Sequence, residues 1–128
     1  MISGKWCLLP TVCLTLVLTL CPHALANKTE VSIEAPAEVP KGSEVLLRVT
    51  ATHNADNPLH YTNWLYVMVN GKEIARWDYT ALNRPEAETF TKEVKYVATD
   101  TLEIKAEGNC NLHGSAGPAI LKVTVREQ

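Results

Sequence analysis

From Glu44 to Thr52 the chain alternates: Val45, Leu47, Val49 and Ala51 fall on one side, and Glu44, Arg48 and Thr50 on the other. A period of two puts successive side chains on opposite faces of an extended strand, so this stretch predicts a sheet with one buried face. The same signature recurs at short intervals. Val31 to Glu34, Trp64 to Val69, Glu73 to Trp77, Phe90 to Val94, Leu102 to Ala106 and Ile120 to Val125 all read as strands. Turn residues punctuate them: Ala35-Pro36, Val39-Pro40-Lys41-Gly42 and Asn70-Gly71, the last being the strongest short hairpin signal. Ala81 to Glu88 is long enough for one helical turn and no more. Seven strands at this spacing, without a helix period, predict an all-β chain: an immunoglobulin-like, seven-stranded antiparallel β-sandwich.

The start of the chain has a different character. Lys5 is the only charge in the first 27 residues; an apolar run follows from Trp6 to Leu20, then Pro22 and Ala24-Leu25-Ala26. A basic start, a short apolar stretch and small residues at −3 and −1 describe a secretory signal peptide over residues 1–26, cut after Ala26. The run falls short of the roughly 20 residues that span a bilayer, so no membrane span is expected after cleavage. Cys21 follows the bulky Leu20, which argues against lipidation there. The expected location is the periplasm or the extracellular medium.

Cleavage leaves residues 27–128 as one domain with eleven basic and fourteen acidic residues, a net charge of −3. A nucleic-acid binder would show a basic face, so that class is set aside. Cys7, Cys13, Cys21 and His23 depart with the leader. The mature chain keeps one cysteine, Cys110, and three histidines, His53, His60 and His113. A single cysteine cannot form an internal disulfide, and a bare thiol is a liability in an oxidising compartment.

All four residues fall on two predicted loops. His53 ends one strand and His60 lies across Asn54-Ala55-Asp56-Asn57-Pro58-Leu59; Cys110 and His113 frame Asn111-Leu112, ahead of Gly114. Taken singly, a loop histidine is ordinarily solvated and a lone cysteine is a small buried hydrophobe. Taken together, a thiolate and imidazoles at these spacings suit iron, copper or zinc, and not magnesium or calcium. Tyr61, Trp64, Tyr66, Trp77 and Tyr79 read as core and rim aromatics, with Tyr61 and Trp64 near enough to His60 to wall a site.

The residues resemble a known family. His53 through His60, then Tyr61-Thr62-Asn63-Trp64-Leu65-Tyr66-Val67 and Gly71-Lys72, are similar to the iron-site domain of superoxide reductases, the neelaredoxin and desulfoferrodoxin family. Cys110-Asn111-Leu112-His113-Gly114 matches its Cys-Asn-x-His-Gly loop, and Ile33-Glu34-Ala35-Pro36 with Lys41-Gly42 resembles its opening segment. The resemblance implies a mononuclear non-haem iron held by four equatorial histidines and an axial cysteine thiolate. An open sixth position would take superoxide, which gains one electron and two protons to give hydrogen peroxide. It assigns His53, His60 and His113 as equatorial ligands, Cys110 as the axial one, and Lys28 as a residue that attracts the anion. It also implies an external electron donor protein, because the chain carries no second cofactor motif, and it allows a homo-oligomer.

Two positions depart from the family pattern. Counting back from Ile33 puts Thr29 where the family has its first histidine and Asn27 where it has a glutamate. The His53–His60 loop is one residue longer than usual, leaving Asp56 or water to complete the coordination. Two other functions fit the same residues. One is a cupredoxin-like electron carrier, although no methionine follows His113. The other is a non-catalytic immunoglobulin-like accessory module with a degenerate metal site, as in a redox or sulfur-oxidising system.

Overall fold

A computed structural model describes residues 27–128, so the leader peptide expected over residues 1–26 lies outside the described residues. Eight strands occur in the order β1 (Glu30–Glu34), β2 (Glu38–Pro40), β3 (Glu44–Thr52), β4 (Thr62–Val69), β5 (Lys72–Asp78), β6 (Thr89–Val97), β7 (Leu102–Cys110) and β8 (Ala119–Arg126). They form a three-stranded sheet, β1-β3-β6, and a five-stranded sheet, β2-β8-β7-β4-β5. Among the described residues there is no helix; Ala81 to Glu88 is a loop opened by a tight turn between Thr80 and Asn83.

The predicted β-sandwich is therefore present, with eight strands where the sequence pattern suggested seven. The additional one is β2, which comes from residues that read as a turn. It pairs with β8 in parallel, Val39 opposite Val125, whereas the other pairings are antiparallel. Pro40 is tolerated because β2 is an edge strand, where a missing N–H costs no ladder bond.

The alternation predicted for β3 holds. Val45, Leu47, Val49 and Ala51 are at most 1 % exposed, facing Leu65 and Val67 of β4, Ile104 and Ala106 of β7, and Val123 of β8. Burying one such aliphatic side chain contributes about 1.5–3 kcal/mol, so this interior dominates the fold's stability. Asn70 and Gly71 join β4 to β5 with φ of 49° and 82°, the pair of positive values that a two-residue type I′ hairpin demands.

One irregularity shapes the end of the sandwich where the candidate ligands lie. In the β4–β7 pairing Thr62 lies opposite Cys110 and Trp64 opposite Asn109, so Asn63 is an extra residue, a β-bulge. Leu65, Val67 and Val69 point inward; strict alternation would turn Thr62 outward. The bulge reverses that parity and buries Thr62 beside Cys110.

Candidate metal centre

The two loops that carry the histidines and the cysteine meet at one end of the sandwich. His53 leaves β3 with its backbone N–H on the Glu88 carbonyl (2.9 Å), and its ring is only 5 % exposed. Nδ1 lies 2.8 Å from the Ala55 carbonyl oxygen and Nε2 lies 3.2 Å from that of Asn27. A neutral imidazole has one proton for these two acceptors. The shorter contact assigns it to Nδ1, leaving the Nε2 lone pair directed at the region of the Asn27 oxygen. A cation taking a lone pair from each would resolve that contact, and Nδ1–H donating to a carbonyl is the usual outer support of a ligating histidine.

His60 is set by Asn57, whose Oδ1 accepts from the N–H groups of Leu59 (3.0 Å) and His60 (3.1 Å). Its Nε2 reaches the Cys110 sulfur at 3.1 Å and His113 Nδ1 at 3.2 Å. Burial, and then the nearby His53 and His113 rings, hold its pKa below the ordinary imidazole value of 6.5, against an opposing contact from the Asn27 backbone. The ring is thus kept neutral at physiological pH, the form that donates a lone pair to a metal.

Cys110 ends β7 and is 1 % exposed. The turn after it is closed by Gly114, whose N–H donates to the Cys110 carbonyl (3.0 Å) and whose φ of 85° favours glycine. This turn aims the backbone N–H groups of Leu112 and His113 at the sulfur, each at 3.4 Å. His113 itself is exposed, with Nδ1 3.8 Å from the sulfur.

Donor atoms of His53, His60 and Cys110 lie within 4.8 Å of one another, and His113 Nδ1 sits against two of them. Ligands bound to one ion at about 2.0–2.3 Å are themselves about 3–4 Å apart, so 3.1, 3.2 and 3.8 Å are the spacings such a set requires. Three imidazoles and a thiolate, buried on one side and open at His113, fit a late first-row ion, iron included. All four residues singled out from the sequence are brought together.

Other expectations land elsewhere. Thr29, at the position of the family's first histidine, is fully buried and shares a 2.8 Å hydrogen bond with the Thr62 hydroxyl. It is a core residue, and the group has one imidazole fewer than the family pattern. Asp56 faces Arg84, with Nε 3.3 Å from Oδ1 in a charge contact that lacks hydrogen-bond alignment, and it does not join the group formed by His53, His60 and Cys110. Lys28 makes no ion pair or side-chain hydrogen bond among the described residues; it stands between Asn27, which touches His53, and Thr29. Trp64 stacks on Tyr66 (ring centroids 5.6 Å apart) under the Arg76 guanidinium, on the outer face of the larger sheet.

Sequence reasoning missed the parts that hold the loops together. Asn111 accepts from the Tyr61 N–H (2.9 Å) and donates to the Leu59 carbonyl (3.1 Å), tying the cysteine loop to the histidine loop. Its only sequence signal was its place in Cys-Asn-x-His-Gly. Leu59 and Leu112, 79 % and 60 % exposed, rim the group.

Comparison with known proteins bears on the fold and the family. No curated protein matches the sequence. Among solved structures, a single-residue variant of the superoxide reductase (neelaredoxin) from Ignicoccus hospitalis superposes with a TM-score of 0.68 at 20 % identity, over 81 % of this chain and 86 % of that one. The same protein without that substitution gives 0.62 at 22 % identity, over 77 % and 83 %. The sulfur carrier protein SoxY from Chlorobium limicola f thiosulfatophilum gives 0.52 at 15 % identity, over 76 % and 82 %. At these identities the likeness establishes a shared fold. The profile of the family described as Desulfoferrodoxin matches residues 24–115, a span that includes all four candidate ligands and ends just past Gly114. On that match, carried by most of its length, the chain belongs to the desulfoferrodoxin family.

Proposed function

We propose that the chain is an exported mononuclear iron protein that reduces superoxide by one electron to hydrogen peroxide. The observation that carries this reading is the buried Cys110 sulfur, 3.1 Å from His60 Nε2 and 3.8 Å from His113 Nδ1, with two backbone N–H groups directed at it. Iron would be held by His53, His60, His113 and Cys110, and would supply the electron by passing from the ferrous to the ferric state. The chain's own residues do the rest. The Leu112 and His113 amides stabilise charge on the sulfur; the Ala55 carbonyl fixes the His53 tautomer; neutral His60 keeps its lone pair. Exposed His113 leaves the group accessible to a small anion, and Lys28 adds positive field nearby. Turnover needs two protons from solvent and an external electron donor protein.

The test is metal content and the visible spectrum of residues 27–128, before and after oxidation, beside Cys110→Ala, followed by superoxide consumption with a supplied reductant. About one iron per chain, a thiolate-to-iron band lost in the variant, and superoxide decay above the spontaneous rate are expected. Zinc without redox-linked colour would sink the proposal. A second reading rests on the His53–His60–Cys110 trio, the donor set of blue copper. Intense blue colour on adding Cu(II), with iron rejected, would favour it.

A further inference from the structure

The donor group lacks one nitrogen relative to its family, and the residue at that sequence position, Thr29, has its hydroxyl committed to Thr62. The group that does face the histidines is Asn27. Its carbonyl oxygen is 3.2 Å from His53 Nε2. Its side chain accepts from Asn54 in the histidine loop (2.9 Å), and two residues on Thr29 donates its N–H to Gly114 of the cysteine loop (3.2 Å). The segment Asn27 to Thr29 thus touches both ligand loops, the histidine loop through Asn27 and the cysteine loop through Thr29.

Asn27 is also the residue that export would leave first in the chain. Within an intact peptide its nitrogen is an amide, whose lone pair is delocalised into the carbonyl and is a poor donor to a divalent ion. Hydrolysis of the Ala26–Asn27 bond places water's OH on Ala26 and its hydrogen on the Asn27 nitrogen, converting that atom to a primary amine. In this neutral form the amine has a free lone pair; the new Ala26 carboxyl group gives its own proton to solvent. Amine nitrogen and carbonyl oxygen of one residue lie about 3 Å apart by covalent geometry, and together with a metal they close a five-membered ring.

We infer that the α-amine of processed Asn27, with its carbonyl oxygen, supplies the donor that the family takes from its missing histidine. This rests on the export and metal readings above. The consequence is a centre completed only by leader removal: the unprocessed chain presents three imidazoles and a thiolate, the processed chain one amine more.

Three samples test it: the exported chain, checked by N-terminal sequencing; residues 26–128, which place an amide where the amine stood; and Cys110→Ala with the processed terminus. Fe(II) and Co(II) affinity is read by chelator competition. Acylation of the terminal amine is read by mass spectrometry, with the Lys28 ε-amine as internal reference. Expected results are an affinity about 10–100-fold higher for the processed chain than for residues 26–128, and metal-dependent protection of the Asn27 amine that Cys110→Ala abolishes. Equal affinities without protection would overturn the inference while leaving the metal centre standing. Absence of metal from every sample would remove both, and an exported chain starting elsewhere than Asn27 would also overturn the inference.

Discussion

Gly108 lies in the middle of a tightly closed contact two residues before Cys110, and replacing it with alanine tests how the interior beneath the site is built. A Cβ at this position would sit 2.8 Å from Thr29 Cγ2, 3.1 Å from Val31 Cγ2 and 3.6 Å from Leu65 Cδ1. The first distance is well inside contact, and Thr29 has no room to retreat, being fully buried and hydrogen-bonded to Thr62. Overpacking of this kind costs about 1–3 kcal/mol. Glycine-to-alanine also removes conformational freedom from the unfolded chain, which returns about 0.4–1 kcal/mol. The net expectation for Gly108→Ala is a loss of about 1–2 kcal/mol, or roughly 5–15 °C in Tm for a domain of this size. Thr29→Ser deletes the clashing methyl and retains the hydroxyl; alone it costs about 1 kcal/mol for the lost burial. In the double variant the new Cβ fills the space that the methyl vacated, so the combined loss should fall short of the sum of the two single losses by about 1 kcal/mol. Urea denaturation of metal-free chains, with m unchanged across the four proteins, measures the cycle. A sum that is additive within about 0.5 kcal/mol would refute the reasoning, since independent sites behave that way.

Asn111→Ala should lower metal affinity about 10–100-fold by removing the side-chain ties of the cysteine loop to the Tyr61 N–H and the Leu59 carbonyl, while the backbone bond to the Tyr61 carbonyl stays, at a stability cost of only about 1 kcal/mol, read by chelator competition and urea denaturation. In the metal-free protein the His60 ring should protonate below 6.5 by NMR titration, and His113→Ala should move it back upward by removing one of the neighbouring charges. Because the folded form resists this proton, the metal-free chain loses stability as pH falls below 6.5 and gains it back as pH rises. Tyr66 and Tyr79 are both pushed up to about 12, by burial first and then by Glu107 and Glu86 respectively. Alkaline absorbance should therefore show two tyrosines titrating near 12, and stability should fall between about pH 10 and 12, where only the unfolded chain has given up those protons.

The readable parts of this chain were those governed by local chemistry. The alternation over β3 and the Asn70-Gly71 turn depend only on which side chains an extended strand buries and which residues accept positive φ, so the sandwich could be read from them. The four candidate ligands could be singled out because a lone thiol and three histidines at ligand spacings on two loops form a recognisable donor set. What the sequence did not disclose depends on partners far away along the chain. Val39-Pro40 reads as a turn until β8 is beside it, since nothing local announces a parallel edge pairing. Asp56 looks available for coordination until Arg84, 28 residues later, is seen against it. Thr29 looks like a vacated ligand position until Thr62 and Gly108 place it inside the core, and the bulge that turns Thr62 inward arises from the register between β4 and β7.

The proposed ligands do not all hang from the same sheet. His53 follows β3 of the three-stranded sheet, whereas His60 precedes β4 and Cys110 closes β7, both in the five-stranded sheet. An ion gripped by all of them is a rivet through the sandwich at one end. Because the unfolded chain offers no such arrangement, loading at about a thousand times Kd would add about 4 kcal/mol to a fold of ordinary stability. On that proposal, metal loading would govern more than chemistry. A chain without the ion would keep the pairing of β2 against β8 at the far end but lack the tie at the near one, and proteases that sample local opening would find it there first.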